Sequence, residues 1–292
     1  MIDKQANVIF LFDNVAGTIN SYDYAADKPL KKLSLDIGLG YAAMGLIDSK
    51  TEIYAPTVDG WLFIIDAATL TVTDKIFVGG ENVASAAVFG DKIAVSATER
   101  SQTYSYENNV KIYDRKTKKL IGRTAYYDNT HLLNLEGSSE FIDITFNITP
   151  TQLTYFKLDN DGKPIVKFED KYHGDHNLDP TILKSFPDGK KFITGSHGTV
   201  YTSDLTFESD LNYYGTNYTD FAFNQPGTII YCSELSNKSI TAISYPAKTV
   251  LKSYVTKLQP LKLFRDDDSL ICVSTENVYG YKAVIFIEKI KL

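Results

Sequence analysis

Histidine and aspartate residues in the middle of the chain have the chemical character of metal ligands. Three of the four histidines, His173, His176 and His197, fall close together, and Asp175 lies between the first two. Imidazole and carboxylate groups bind Zn²⁺ and similar ions. The run His-Gly-Asp-His matches no known metal signature, and histidines in loops are common. The sequence therefore allows two interpretations: a divalent-metal site formed by these four residues, or ordinary polar loop residues.

Tyrosines and glutamates at predicted strand ends and junctions form a second candidate set. Aromatic side chains beside polar residues suit the binding of carbohydrates or proteins, although many tyrosines in β-proteins only cap the ends of strands. Carboxylates placed around an opening would attract cations, whereas strand ends in a repeat protein are also simply polar. The predicted ligand-binding residues are Tyr104, Tyr106, Tyr172, Tyr213, Tyr214, Glu99 and Glu234.

Motifs of the common catalytic sites do not occur in the sequence. It contains no G-x-S-x-G, H-E-x-x-H, P-loop or G-x-G-x-x-G pattern. We therefore expect a binding protein rather than an enzyme. The alternative hypothesis is a lyase or hydrolase that uses a divalent metal held by the three clustered histidines.

A repeat of strands and turns must position these residues, and residues 52–80 carry its clearest copy. The dipeptide Asp59-Gly60 is a two-residue hairpin signal. It precedes a predicted strand at 61–66, a turn at 67–70 and a further strand at 71–78. The same order recurs about every 40 residues, and a period of that length with several strands per unit is typical of a β-propeller.

Seven such units can be aligned along the chain. The first begins near Val8, and the others cover 41–80, 81–128, 129–173, 174–215, 216–258 and 259–292. We predict an all-β fold without helices: one domain over residues 1–292, a seven-bladed propeller with four antiparallel strands in each blade. Because the first unit lacks an innermost strand, the closing blade is expected to combine strands from both chain ends.

The best-preserved repeat resembles a known family. The segment EIYAPTVDGWLFIIDAATLTVTDKIFVGG, followed by ENVASAAVFGDKIAVSA, is similar to the repeat of YVTN-type propellers, a surface-layer and quinoprotein-dehydrogenase-like group. The WD40 signature is not present. The resemblance implies a propeller of the cell surface, envelope or periplasm, and that family has no shared catalytic residues to carry over.

The propeller prediction also places the candidate residues. In a propeller, the loops between units and the turns from the second to the third strand of each blade share the face that surrounds the mouth of the central channel. All four histidines, including His131, fall near such positions, as do Asp175 and Asp179. We therefore expect them in one sector of the mouth.

Net charge and the distribution of apolar residues limit the classes of partner that the protein can have. The net charge of −6 and a pI near 5.3 argue against nucleic-acid binding. No run of 18 apolar residues is present, and residues 1–7 contain no apolar segment of a signal peptide. We expect a monomer that binds a protein, glycan or small molecule in the cell envelope, periplasm or exterior, with an export signal not present in this sequence.

The two cysteines, Cys232 and Cys272, both lie in apolar strand contexts. One interpretation is a pair of buried thiols that act as small apolar side chains. The other is a disulfide between neighbouring blades, whose geometry a sequence does not give.

Overall fold

The computed structural model describes residues 1–79, 82–98, 109–212, 217–234, 237–276 and 284–292, and the regular elements there are 27 β-strands. The strands form seven antiparallel sheets, and each sheet takes its strands from one continuous part of the chain. The sheets are the seven blades of a β-propeller. The predicted fold class, with no helix among the described residues, is thus confirmed.

The blades are numbered in chain order. Within each blade, every strand pairs with the strand that precedes or follows it in the sequence. Blades 1 to 4 contain β1 (Ile2–Asp3), β2 (Val8–Asp13), β3 (Thr18–Asp23) and β4 (Lys28–Ser34); β5 (Ala43–Ile47), β6 (Lys50–Pro56), β7 (Trp61–Asp66) and β8 (Thr71–Phe77); β9 (Asn82–Phe89), β10 (Lys92–Thr98), β11 (Val110–Asp114) and β12 (Leu120–Thr124); and β13 (Thr130–Asn134), β14 (Glu140–Thr145), β15 (Leu153–Leu158) and β16 (Pro164–Glu169). Blades 5 to 7 contain β17 (Leu183–Ser185), β18 (Lys191–Thr194), β19 (Thr199–Thr202) and β20 (Phe207–Asp210); β21 (Tyr218–Phe223), β22 (Ile229–Glu234), β23 (Ser239–Ser244) and β24 (Val250–Val255); and β25 (Gln259–Asp266), β26 (Ser269–Thr275) and β27 (Ile285–Lys291).

Local signals in blade 2 explain why its strands end where they do. The strand predicted at 61–66 is β7, with the same limits. Gly60 before it has a φ of 93°, a conformation that glycine adopts without strain. After it, the carboxylate of Asp66 accepts a hydrogen bond from the Thr69 N–H at 2.7 Å, which closes the next turn.

The core lies between the blades. Between blades 2 and 3, for example, Leu62 and Ile64 of β7 pack with Ile93 and Val95 of β10, and all four are fully buried. Several first strands contact the first strand of the neighbouring blade, as β9 does with β5 and β13, and β21 with β25, whereas outer strands such as β4 and β24 are largely exposed. A blade therefore has two apolar faces that only its neighbours can cover, and burial of those faces holds the ring together.

The ring closes where blade 1 packs on blade 7. Ile9 and Tyr24 of blade 1 form one buried cluster with Ile271 and Val273 of blade 7. The two chain ends thus meet, but they do not share a sheet as we expected. The reason is that blade 1 has its own short inner strand, β1, paired antiparallel with β2 through residues 4–7, while blade 7 contains β25 to β27 only among its described residues.

Both cysteines are buried and free. Cys232 lies in the core between blades 5 and 6, and Cys272 in the core between blades 6 and 7. Burial raises the pKa of both thiols. The interpretation as small apolar core residues is therefore confirmed. In the part of the chain that the structure describes, no helix is long and apolar enough to span a bilayer.

Candidate binding site at the channel mouth

One face of the ring carries the connections between blades together with the turns that join second and third strands. Because neighbouring strands run antiparallel, both kinds of connection lie at the same edge of a sheet. In blade 2, Val58 N–H of such a turn donates to the carbonyl oxygen of Gly38, in the connection before the blade, at 3.0 Å. We call this side of the ring the junction face.

Tyr41 is fixed on the junction face by the first strand of blade 3. Its N–H donates to the carbonyl oxygen of Ala84 at 2.8 Å, and its own carbonyl oxygen accepts from Ala86 N–H at 2.9 Å. The preceding residue must be small, since a Cβ atom on Gly40 would stand 2.3 Å from the carbonyl oxygen of Ala84. Gly40 thus allows the backbone approach that places Tyr41.

His131 is held in place by two buried serines of blade 3. It is the second residue of β13. Before it, Thr130 N–H donates to Ser96 Oγ at 2.9 Å. After it, Leu132 N–H donates to Ser85 Oγ at 3.0 Å. The backbone on both sides of His131 is therefore anchored to the neighbouring blade.

The rings of Tyr41, His131 and Phe146 stack, and we call them the mouth aromatic cluster. The ring centres of Tyr41 and His131 are 4.2 Å apart, and those of Tyr41 and Phe146 are 5.3 Å apart. All three side chains are only partly buried. They come from the connection before blade 2, from β13 and from the following turn of blade 4. Together they form a partly open aromatic surface that no single repeat carries.

His131 is uncharged in this environment. Its Nδ1 lies in close contact with the carbonyl oxygen of Pro180. A carbonyl oxygen only accepts hydrogen bonds, so Nδ1 carries the proton and Nε2 the lone pair. Burial lowers the pKa of His131 to about 4, and the charges of Lys262 and Lys184 act in the same direction. The cluster therefore presents a neutral face at physiological pH.

Three charged residues on the first strands of blades 5, 6 and 7 form a second group. Asp220 is fully buried, and its Oδ2 lies 3.2 Å from Lys184 Nζ. Its Oδ1 lies 3.8 Å from Lys262 Nζ. Leu183 and Leu263, each adjacent to a lysine in sequence, are buried in the cores between blades. Strand alternation therefore turns both lysines away from those leucine cores, and the first strands that carry them border the channel. We call Lys184 and Lys262 the channel lysine pair.

Sequence reasoning missed the channel lysine pair and did not single out Asp220. A signal for the lysines does exist, because the pattern Leu-Lys-x-Phe occurs at 183–186 and again at 261–264. A charge inside an apolar first strand is unusual. Its recurrence at the same place in the fifth and seventh units could have indicated a channel-facing pair.

The predicted metal ligands lie in different surroundings. The ring of His176 stacks on Phe207 at 3.7 Å with the planes 5° apart. Nδ1 of the exposed His173 lies 3.2 Å from Oε1 of Gln152. In the described ranges of the chain, no group of three or more His, Cys, Asp or Glu side chains is placed to hold a metal ion.

The remaining predicted ligands have contacts of their own. Nδ1 of His197 is 3.5 Å from Nδ2 of Asn177, and Asp175 is exposed. His131 stands apart from the other three histidines, in the mouth aromatic cluster. The metal site at His173, His176, His197 and Asp175 stays a prediction.

Two predicted ligand-binding residues make contacts within the protein. The hydroxyl of Tyr172 accepts a hydrogen bond from Phe207 N–H at 3.2 Å. The carboxylate of Glu234 accepts one from the side-chain amide of Asn237 at 2.8 Å. The other predicted residues lie outside the described residues: Glu99, Tyr104, Tyr106, Tyr213 and Tyr214.

A cleft of about 650 Å³ lies on the opposite face, between blades 1 and 2. Phe10 and Leu30 contribute apolar surface to it, and Lys31 lies beside them. The ammonium group of Lys31 donates to the carbonyl oxygens of Ala68 and Thr69, at 3.3 and 3.1 Å. This lysine thus joins the two blades and offers less to a ligand than the channel lysine pair.

Comparison with known proteins shows the fold. No protein-family model and no curated protein matches the chain. Among solved structures, Kuenenia stuttgartiensis Hydrazine Synthase has a TM-score of 0.67 at 12% identity, over 98% of this chain and 94% of that one. Dihydro-heme d1 dehydrogenase NirN in complex with DHE has a TM-score of 0.65 at 16% identity, over 98% of this chain. The chain spans 61% of the length of that second structure.

Proposed function

We propose that this protein is a non-enzymatic binding propeller that holds its ligand on the junction face, at the mouth of the channel. The mouth aromatic cluster carries the proposal. Its three rings are partly exposed beside the channel, where they can contact a ligand as well as one another. Aromatic side chains give a large contact area at little conformational cost, so they are frequent in binding surfaces.

The neutral state of the cluster is consistent with binding rather than catalysis. His131 lacks a charge at physiological pH, and its Nδ1 is engaged with the Pro180 carbonyl oxygen. No metal-holding group of acidic, histidine or cysteine side chains accompanies it among the described residues. The ring therefore offers stacking and one lone pair, which suits recognition of a flat ligand.

Location in the cell envelope, periplasm or exterior belongs to the same proposal. It is supported by the similarity of residues 52–80 to the YVTN-type repeat. The candidate ligands are a protein, a glycan and a small molecule, and a binding experiment distinguishes their chemical class.

The experiment measures binding of defined compounds by calorimetry to the purified protein and three variants. The compounds are aromatic amino acids, nucleosides, monosaccharides, aromatic acids and haem, the last because one structural neighbour is named for a dihydro-heme. Tyr41→Ala and Phe146→Ala each remove one ring of the cluster. Phe77→Ala is the matched control, because the exposed Phe77 lies on an outer strand and packs at a tilt against Trp61, with ring centres 4.9 Å apart.

We expect a bound compound to lose about tenfold or more in affinity in both cluster variants and to bind Phe77→Ala normally. Unchanged affinity in both cluster variants would overturn the proposed site. Turnover of any bound compound would overturn the non-enzymatic role.

A further inference from the structure

The charge of the channel differs from that of the whole protein. The chain carries a net charge of −6. Yet the first strands of blades 5 to 7 place two lysines around one carboxylate, that of Asp220. The two lysines and Asp220 together carry one positive charge that the Asp220 carboxylate does not balance, and Asp179 is the further carboxylate that acts on His131. An excess cation beside a channel attracts anions.

Lys262 is the residue with capacity for a further partner. Its side chain is 47% exposed, and among the described residues its ammonium has one ionic contact, to Asp220 Oδ1 at 3.8 Å. That distance is too long for a hydrogen bond, and Oδ1 itself has no hydrogen-bond partner there. By contrast, Oδ2 of the same carboxylate accepts from Leu263 N–H at 2.8 Å. Lys262 thus keeps its donors for another acceptor.

The two lysines and the mouth aromatic cluster border the same space. Nζ of Lys184, from blade 5, lies 5.3 Å from the ring centre of Phe264 in blade 7, so this side chain reaches across blade 6. The strand that carries Lys184, β17, contacts β13 of the neighbouring blade 4, the strand that carries His131. A ligand that touches the aromatic rings is therefore within reach of the lysine charges.

We propose that the channel lysine pair binds the anionic group, a carboxylate or a phosphate, of a ligand whose flat apolar part stacks on the mouth aromatic cluster. This inference rests on the proposed function, because the stacking half of the site is the same. It adds the chemical class of the ligand: an aromatic or other planar anion. An ammonium group is a compact point charge that binds a carboxylate or a phosphate equally readily. The two anions must therefore be compared directly.

The test uses matched ligands that differ only in charge. The probes are 2-naphthoate, 2-naphthyl phosphate, the neutral 2-naphthamide and inorganic phosphate alone, titrated by calorimetry at two salt concentrations. Lys262→Gln is the main variant. Lys289→Gln is the control. Lys289 is 46% exposed and pairs with Asp266 at 3.1 Å, and it lies on β27, the outer strand of blade 7. Lys184→Gln is a second variant. Its unfolding midpoint is measured as well, because the substitution removes a partner of buried Asp220.

We expect a naphthyl anion to bind, the amide to bind about tenfold or more weakly, and salt to weaken the anion. Lys262→Gln should abolish the preference for the anion, and Lys289→Gln should keep it. The phosphate ester and the carboxylate then rank by affinity, which identifies the preferred anion.

Three outcomes separate this inference from the proposed function. Equal binding of the amide and the anions, still dependent on Tyr41, would overturn the inference and leave the proposed function standing. Lysine-dependent binding of inorganic phosphate, with no aromatic compound dependent on Tyr41, would overturn the proposed function and the stacking half of the inference while supporting the anion site. No binding of any anion at millimolar concentration would overturn the inference.

Discussion

Asp220 in blade 6 accepts a hydrogen bond from the backbone N–H of Leu263 in blade 7, at 2.8 Å. Blade 3 contains the same relationship, since Ser85 Oγ accepts from Leu132 N–H of blade 4 at 3.0 Å. In both places a polar side chain of one first strand holds the backbone of the next. Asp220 differs because Lys184 of the preceding blade also contacts it, so one carboxylate joins three blades.

Replacement of Asp220 should destabilise the ring. Asp220→Ala leaves the Leu263 N–H and the Lys184 ammonium without their acceptor, which should lower the free energy of unfolding by about 3–5 kcal/mol. Asp220→Asn keeps an acceptor for Leu263 N–H and should cost less. Urea unfolding measures both. Ser85→Ala, which loses only neutral hydrogen bonds, serves as the comparison, and an equal loss in Ser85→Ala and Asp220→Ala would contradict a special role for the charge.

Asp143 should make stability depend on pH in the direction opposite to most carboxylates. It is fully buried, and the Thr154 hydroxyl beside it offsets only part of the cost of burying its charge. Burial raises its pKa well above the usual range. The folded protein therefore holds this proton more tightly than the unfolded chain. Its contribution is present below the unfolded pKa and is lost as pH rises toward the folded pKa, at about 1.4 kcal/mol per pH unit.

Asp143→Asn tests this dependence, because the amide resembles the neutral acid. We expect the variant to gain stability relative to the original protein as pH rises from 4 to 8. Urea unfolding at each pH measures the free energy of unfolding of both proteins. A difference between the two proteins that stays constant with pH would show that Asp143 does not titrate between those limits.

His176 should behave as a packing residue. Its ring stacks on Phe207 at 3.7 Å and meets Tyr172 edge-on at 4.7 Å. His176→Phe keeps an aromatic ring and should retain the thermal midpoint, whereas His176→Ala should lose about 1 kcal/mol. Each is measured with and without Zn²⁺. Stabilisation by Zn²⁺ in the original protein alone would instead favour a ligand role.

The ion pair between Arg115 and Glu52 should contribute far more than an exposed pair. Arg115 Nε and Nη2 donate to the two oxygens of Glu52, each at 2.7 Å, and both side chains are largely buried. Arg115→Ala leaves the largely buried Glu52 carboxylate without a positive partner, with the Tyr54 hydroxyl as its remaining donor, and should cost about 3 kcal/mol. Lys116→Ala removes the exposed pair with Asp48 at 3.2 Å and should change stability by less than about 0.5 kcal/mol. Chemical unfolding compares the two, and similar losses would refute the expected difference.

Local chemistry was sufficient to predict the strands and the number of blades. Gly60 permits the hairpin before β7, and the Asp66 carboxylate closes the turn after it, so neighbouring residues alone set those limits. The same short-range rules recur in every unit, which is why the seven units could be counted. They also placed His131 and its loops on the junction face.

The sequence could not show which of those side chains meet. His173 and His176 are three positions apart, yet one contacts Gln152 and the other Phe207. Tyr41 and His131 are ninety positions apart, yet their rings stack at 4.2 Å. Strand alternation and turn residues act over a few positions, so they could be predicted from the sequence. Contacts across the channel, including those among Lys184, Asp220 and Lys262, form only when burial of the blade faces closes the ring, and that closure is a property of the whole chain.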